Sequence, residues 1–353
     1  MTDDEVLPYL RERLPDLGPM VEAERLPEGN LNRVWRVRGE ERSVVVKHAP
    51  PYIAATPEVP LDPARLRIEA ECLRALGPAG TLTGVGKGRV RPPRVLSMDR
   101  EQDVLVMEDL GAQPTLGRWL RTDDAAAIQE RAPALGAALG QFIGHLHATT
   151  HDAPAYADRF ANRPMQETRH AVQYQGVADM LSRGGVDDAA ALGTRAEALG
   201  EQLLAPGCCL TMGDLWPPSV LVGEAGTYLI DWELAHYGHP LQDVAHVLAH
   251  LWMQAHRAPS EAVAHAVQAL RRAFVEEYVN ALGAEYTALW TDRERRDAVI
   301  HFGAELLVRA VGPFQDGYLY EGLAPDDPAV QEAAQVAAGH LRAPEEASLH
   351  VGL

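Results

Sequence analysis

Cysteine is scarce: Cys72, Cys208 and Cys209 are the only three in 353 residues, and two of them are adjacent. Neighbouring cysteines do not easily bridge each other, so no disulfide framework is expected, which fits a reducing, cytoplasmic compartment. No window reaches 18 uninterrupted apolar residues, and no membrane-spanning helix is expected. The opening MTDDEVLPYL is acidic where a secretory signal is basic and then apolar, so no such signal is predicted. Positive charge is also in deficit. The formal net charge is −18 at pH 7, which repels phosphate backbones and anionic lipid. Nucleic-acid and membrane-surface partners are therefore disfavoured, whereas a cationic small molecule is compatible.

What is present suffices for a large interior. Hydrophobic residues make up 46% of the chain, and the length is too great for one ordinary core. Residues 3–14 have helical spacing. Strand-like runs follow at 20–26, 32–39 and 42–49, with Gly39-Glu40-Glu41 as a turn. A Pro-rich loop is predicted over 50–63, then a helix opened by Asp62-Pro63 and closed at Gly77. Two more strand patterns, 94–99 and 103–111, complete a β-rich lobe over 1–110. The remainder, 111–353, reads as a mainly helical lobe. Its longest periodic pattern covers 123–150, with a break expected at Pro133. Further helical patterns fall at 166–182, 187–204, 240–256, 259–283, 292–312 and 326–342. One island, 208–238, reads as strand, loop, strand, turn, strand, loop.

Four features fit phosphoryl transfer, which needs a cation on the phosphates, carboxylates on magnesium and a carboxylate beside the attacking hydroxyl. Lys47 ends the apolar run Val44-Val45-Val46, and an ammonium on a buried strand needs an anionic partner. Glu69, in RLRIEAECLRAL, is the candidate partner; Glu71 lies on a different helix face. Asp214, in TMGDLWPPS, stands on an irregular loop between strand patterns, where catalytic groups concentrate. Asp231 and Glu233, in YLIDWE, end an apolar strand and suit a hard divalent ion. Each also has a plain reading as a snorkelling lysine or a solvated carboxylate. The specificity lies in their order and spacing. His246 and His250, four apart on one helix, have a spacing that can bind zinc. No third ligand is evident, and two imidazoles packed at the lobe surface is the plainer reading. Cys208-Cys209 reads as an apolar strand start.

The segment MGDLWPPSVLVGEAGTYLIDWELAHYGHPLQDVAHVL resembles the catalytic segment of the aminoglycoside phosphotransferase and choline kinase superfamily. The resemblance extends over roughly residues 25–312 and is weakest at 155–205. It implies an α+β, bilobal protein-kinase-like fold, with a small β-rich N-lobe and a larger helical C-lobe. It implies ATP and Mg²⁺ as cofactors, a small-molecule hydroxyl as acceptor and a homodimeric assembly. Asp214 would be the catalytic aspartate and Asp231 the magnesium aspartate. Asp243 would brace the loops, with His147 in a structural role.

EGNLNRVWRV, SVVVKHAPPYI, RLRIEAECLRAL and LVMEDLG look most like methylthioribose kinase. Asn30 would then lie in the loop over the phosphates, Lys47 and Glu69 would pair, and backbone groups from Glu108 to Leu110 would hold the adenine. Ser219 stands where most of the superfamily has a second magnesium-binding Asn. Methylthioribose kinases share that Ser and use an Asp-x-Glu pair, so Glu233 is implied as a metal ligand with Asp231, alongside Ser219. Met212 replaces the family's His before Gly-Asp. Arg309 alone matches a substrate-contacting Arg pair, and Trp216 is a second candidate for the acceptor pocket. The implied acceptor is a methylthioribose-like sugar. An aminoglycoside or amino-alcohol acceptor of the choline or homoserine kind is the alternative that suits the charge. A nucleotide-binding pseudokinase is the third reading, which the intact Lys47, Asp214 and Asp231 oppose.

Overall fold

The computed structural model describes residues 1–27, 31–85 and 89–346. Its N-terminal part is built on a five-stranded antiparallel sheet in the order β1-β2-β3-β8-β7. The strands are β1 (Met20–Arg25), β2 (Arg33–Gly39), β3 (Ser43–His48), β7 (Val95–Asp99) and β8 (Val104–Glu108). Two-residue alternation gives the sheet two different faces. Val44, Val46, Val104 and Val106 pack with Trp35, Val37, Val6 and Leu10 beneath the N-terminal helix Asp3–Arg13. Leu105 and Met107 point the other way, toward Leu66, Ala70 and Leu73 of the helix Arg65–Leu76. Lys47, in register with Leu105 on β3, belongs to this second face. The 50–63 segment is not wholly a loop: β4 (Tyr52–Ile53) and β5 (Thr56–Pro60) form a small hairpin. The helix after it starts at Arg65, because Asp62 first turns the chain by accepting the Ala64 N–H (2.8 Å).

The C-terminal part is helical. The helix Ala125–Thr150 runs through Pro133 without the expected break. Pro133 is exposed near the first turns, so the carbonyl it leaves unpaired faces water. Packing also holds the helix: Gly136, Gly140 and Gly144 meet the backbone of the helix Glu261–Leu282. A Cβ at Gly140 would lie 2.0 Å from the Phe274 carbonyl oxygen, so the two backbones approach as only glycine permits. The pattern at 166–182 is divided into the helix Arg163–Arg169, a π-helical turn at His170–Tyr174 and the helix Val177–Arg183.

The island at 208–238 contains a fourth strand that the sequence reading left as loop. β12 (His236–Gly238) pairs with β9 (Cys209–Thr211), and β10 (Val220–Val222) pairs with β11 (Thr227–Leu229). The short strand β6 (Val90–Arg91), ahead of β7, pairs with β11 rather than with the five-stranded sheet. The island and the sheet thus face each other across a cleft. Among the described residues, no helix is long and apolar enough to cross a membrane.

Candidate active site

The cleft has a volume of about 630 Å³, and both parts of the chain line it. Lys47, Glu69, Glu108 and Leu110 come from one side, and Asp214, Trp216, Asp231 and Glu233 from the other. Ser219 and Arg309 are not on its wall. Asn30 lies outside the described residues.

Lys47 is buried and ringed by carboxylates: Glu69 at 2.8 Å, Asp231 at 2.8 Å and Glu233 at 3.6 Å. Burial opposes its charge, but Asp231, Glu233 and Glu69 outweigh it and raise its pKa well above the ordinary lysine value. For Glu69 burial is the largest influence and lifts the carboxyl to about 7. Lys47 pulls it down, while Glu233 and Asp231 repel it. Two cations, Lys47 and Arg65, thus face three carboxyl groups, of which Glu69 is the one that burial leaves only partly ionised near neutral pH. The exposed member is Asp231, whose side chain is 44% accessible. An exposed aspartate carboxylate at the cleft is of the hard oxygen type that suits a divalent ion. Asp231 also has φ +64°, a left-handed conformation of the kind found at functional sites and worth roughly 1–3 kcal/mol of strain.

Glu233 differs from its neighbour. It is 5% exposed, and Asn32 Nδ2 donates to both its oxygens at 2.8 Å. Arg65 Nε donates to Oε2 at 3.1 Å. Ser219 is fully buried, and its hydroxyl donates within its own loop, to the carbonyls of Asp214 (3.2 Å) and Trp216 (2.9 Å). Glu108 turns its side chain to Arg91 and Arg94, and its N–H donates to the Arg94 carbonyl (2.9 Å).

The Asp214 loop is braced from below. Asp243, fully buried, accepts the N–H groups of Met212 (2.9 Å) and Gly213 (2.8 Å) and contacts His147 at 3.0 Å. The loop is therefore held without the family's histidine, and Met212 fills that place as core. Gly213 has φ +79°, and a Cβ there would lie 2.3 Å from the Leu234 carbonyl oxygen, so only glycine fits before Asp214. Asp214 Oδ1 receives Arg169 Nη2 at 3.0 Å and lies 3.2 Å from His246 Nε2. Burial alone would raise this carboxyl, but His246 and Arg169 overcome it and hold the pKa at about 2. Asp214 is thus an ionised, hydrogen-bond-accepting group, better suited to orienting a hydroxyl than to removing its proton early.

His246 and His250 are in the interior, not at a lobe surface. Glu305 supplies the third ligand type that the sequence did not reveal, with all three ligand atoms within 4.8 Å of one another. These groups are already matched to each other, however. Glu305 Oε1 accepts from Arg309 Nε and contacts His250 Nε2, both at 2.9 Å, and Arg169 lies 3.4 Å from His246 Nδ1. Two guanidiniums at that range repel a metal cation. Arg309 itself stacks on Trp216 (4.3 Å to the ring centre), with Phe314 and Tyr318 on its other sides. Arg309 therefore stands behind the half-buried Trp216.

Sequence reasoning placed Asn32 only in the loop over the phosphates, without its bond to Glu233, and missed Arg65, Arg169 and Glu305. Arg65 had a local signal, since it precedes Glu69 by four residues and shares its helix face. Arg169 lies where the family resemblance is weakest. Composition carries a further signal: of the 32 Lys and Arg residues only Lys47 and Lys87 are lysine.

A β-sheet lobe over a helical lobe, with a lysine–glutamate pair facing two aspartate-bearing loops, defines the class of kinase-like phosphotransferases. Residues 22–298 match the phosphotransferase enzyme family, and the chain belongs to that family as a small-molecule kinase. It is 26% identical to the 4-hydroxytryptamine kinase of Psilocybe cyanescens over 86% of this chain and 91% of that one. It is 27% identical to the methylthioribose kinase of Pectobacterium carotovorum subsp. carotovorum (strain PC1), over 83% and 80%. In fold it is similar to the choline kinase LicA of Streptococcus pneumoniae (TM-score 0.52, 14% identity, 96% of this chain and 99% of that one). It is likewise similar to a thermostable mutant of aminoglycoside phosphotransferase APH(4)-Ia, solved as a ternary complex with AMP-PNP and hygromycin B. There the TM-score is 0.51, at 15% identity over 98% and 99% of the two chains.

Proposed function

We propose that this enzyme transfers the γ-phosphate of ATP to the hydroxyl of a small molecule, in a cytoplasmic setting. The observation that carries this reading is the convergence of Lys47, Asp214 and Asp231 on one cleft. The lobes divide near residues 110 and 111, and the base of ATP lies against the Glu108–Leu110 segment. Lys47, held by Glu69, contacts the phosphates. Asp231 holds Mg²⁺, which when bound neutralises charge on the transferring phosphoryl group. Asp214 accepts a hydrogen bond from the acceptor hydroxyl and aims it at the phosphorus. Its low pKa suits a late proton transfer.

The acceptor meets Trp216 and, behind it, Arg309. Asp214 itself is contacted by Arg169 and His246, and the nearby Glu305 is paired with His250 and Arg309, so on this side of the cleft the partners of the carboxylates are already cationic or imidazole groups. This set does not suit a polycation, which weighs against the aminoglycoside reading despite the charge of −18. A methylthioribose-like sugar is the leading acceptor. A hydroxylated aromatic, of the kind named for the Psilocybe relative, is the second reading, favoured by Trp216 at the cleft wall.

An ADP-release screen with Mg²⁺ and ATP tests this, across methylthioribose, 4-hydroxytryptamine, choline, homoserine and an aminoglycoside. The expected result is turnover with methylthioribose or the aromatic alcohol, reduced about 10²-fold or more by Asp214→Asn. Turnover confined to the aminoglycoside would overturn the acceptor assignment. No turnover with any acceptor, together with no need for Mg²⁺, would favour the pseudokinase.

A further inference from the structure

We propose that Glu233 is a positioning residue, the centre of a latch between the two lobes, and not a magnesium ligand. The Asp-x-Glu pair invites the opposite assignment, and the two side chains differ in a way that argues against it. The Asp231 side chain is 44% exposed, whereas that of Glu233 is 6% exposed. Both Glu233 oxygens already have donors from distant segments: Asn32 Nδ2 reaches each at 2.8 Å, and Arg65 Nε reaches Oε2 at 3.1 Å. Lys47 Nζ lies 3.6 Å from Oε1. A carboxylate oxygen can keep a hydrogen bond while it binds a metal, so the difference from Asp231 rests on burial and on the fixed cationic neighbours: the Glu233 side chain is 6% exposed and has Arg65 and Lys47 beside it, where Asp231 is 44% exposed.

Arg65 cannot follow Glu233 toward a metal. It is 1% exposed, and its guanidinium is engaged on every side. Nη1 donates to the Asp62 carbonyl at 2.8 Å, Nη2 to the Leu31 carbonyl at 2.9 Å, and Nε also reaches Asn32 Oδ1 at 3.2 Å. Removing Glu233 would strand a buried guanidinium. The helix Arg65–Leu76 is thus fixed at two points one turn apart, Arg65 on Glu233 and Glu69 on Lys47. Through Asn32 and Leu31 the same carboxylate holds the end of β2 where the chain enters the cleft. Glu233 therefore sets the distance between the start of β2 and Asp231, two residues before it.

A mutant cycle on the full-length protein tests this. Thermal unfolding without ligand is measured for Glu233→Gln, Asn32→Ala, Arg65→Met and the Glu233→Gln/Arg65→Met double variant. Half-saturating Mg²⁺ for AMP-PNP binding is then measured by calorimetry. Only the second readout rests on the nucleotide reading given above. For a latch, the double variant unfolds at the temperature of the worse single variant. Asn32→Ala and Glu233→Gln should also shift the Mg²⁺ requirement by the same factor, within about twofold. The proposal is overturned if the melting-temperature losses add. It is also overturned if Glu233→Gln raises the Mg²⁺ requirement about tenfold or more while Asn32→Ala leaves it at the wild-type value. Should Arg65→Met fail to fold, the Asn32→Ala and Glu233→Gln pair forms the cycle instead. If the wild type binds no nucleotide, that reading falls, and the thermal cycle still decides the latch.

Discussion

Lys47 has three carboxylates within 3.6 Å and 4% exposure, which makes it the most constrained cation of the cleft. Arginine fills almost every other cationic position in this chain, so the retained ammonium marks a place where a compact point charge is needed. Lys47→Met should destabilise the protein by about 3–5 kcal/mol, because it leaves buried carboxylates uncompensated. Urea unfolding checks this, and added Mg²⁺ should restore part of the loss by neutralising Asp231. Lys47→Arg, which keeps the charge but not the shape, should still lower AMP-PNP affinity about tenfold or more. Unchanged affinity in a direct binding titration would refute that. At this scale the sequence was legible wherever a charged residue abutted an apolar strand: Lys47 after Val44–Val46, and Asp231 after Tyr228–Ile230. Asn32 and Arg169 were not legible. Their decisive contacts, to Glu233 and Asp214, join residues 201 and 45 positions apart, and no local pattern encodes them.

Elements were read well where periodicity was strong and poorly where proline dominated. The five-stranded sheet and the long helices lie near their expected places. The β4–β5 hairpin is hidden in the sequence because its prolines remove donors, which a two-stranded ribbon at the surface tolerates. Pro133 acts in the opposite sense: it looks like a break, but the glycine row of the helix Ala125–Thr150 packs the helix through it. Gly140→Ala should therefore destabilise by roughly 1–3 kcal/mol despite its better helix propensity, because its Cβ would overlap the Phe274 carbonyl. Equal or higher stability in urea would contradict the packing described.

The helix Leu241–His256 carries a second testable feature. Burial holds His250 down to about 3 and pushes His301, which faces His246 from the helix Asp292–Ala310, well below its ordinary value. The folded state thus binds fewer protons than the unfolded chain below pH 6.5. Their contribution to stability is complete above pH 6.5 and is lost as pH falls toward 3. His250→Gln should flatten the fall in stability between pH 7 and pH 5, compared by urea unfolding at both values. An unchanged slope would show that His250 is not held neutral.

Across the whole molecule, the two lobes are joined by more than the chain connection. β6 pairs with β11, and Lys47 and Asn32 bond to Asp231 and Glu233, so the cleft is closed at one end by contacts between the sheet and the catalytic loops. The bilobal plan was legible because strand patterns and helical patterns segregate along the chain. The surroundings of Trp216 were less so, because they come from separate helices and the loop that carries Tyr318. The central claim is that Lys47, Asp214 and Asp231 serve one magnesium–nucleotide complex. Its most direct test is calorimetric titration of AMP-PNP into the wild type, Asp231→Asn and Asp214→Asn, with and without Mg²⁺. The expected result is one Mg²⁺-dependent site in the wild type and in Asp214→Asn, with the Mg²⁺ dependence lost in Asp231→Asn. Binding that is indifferent to Asp231→Asn, or no binding by the wild type, would contradict the account.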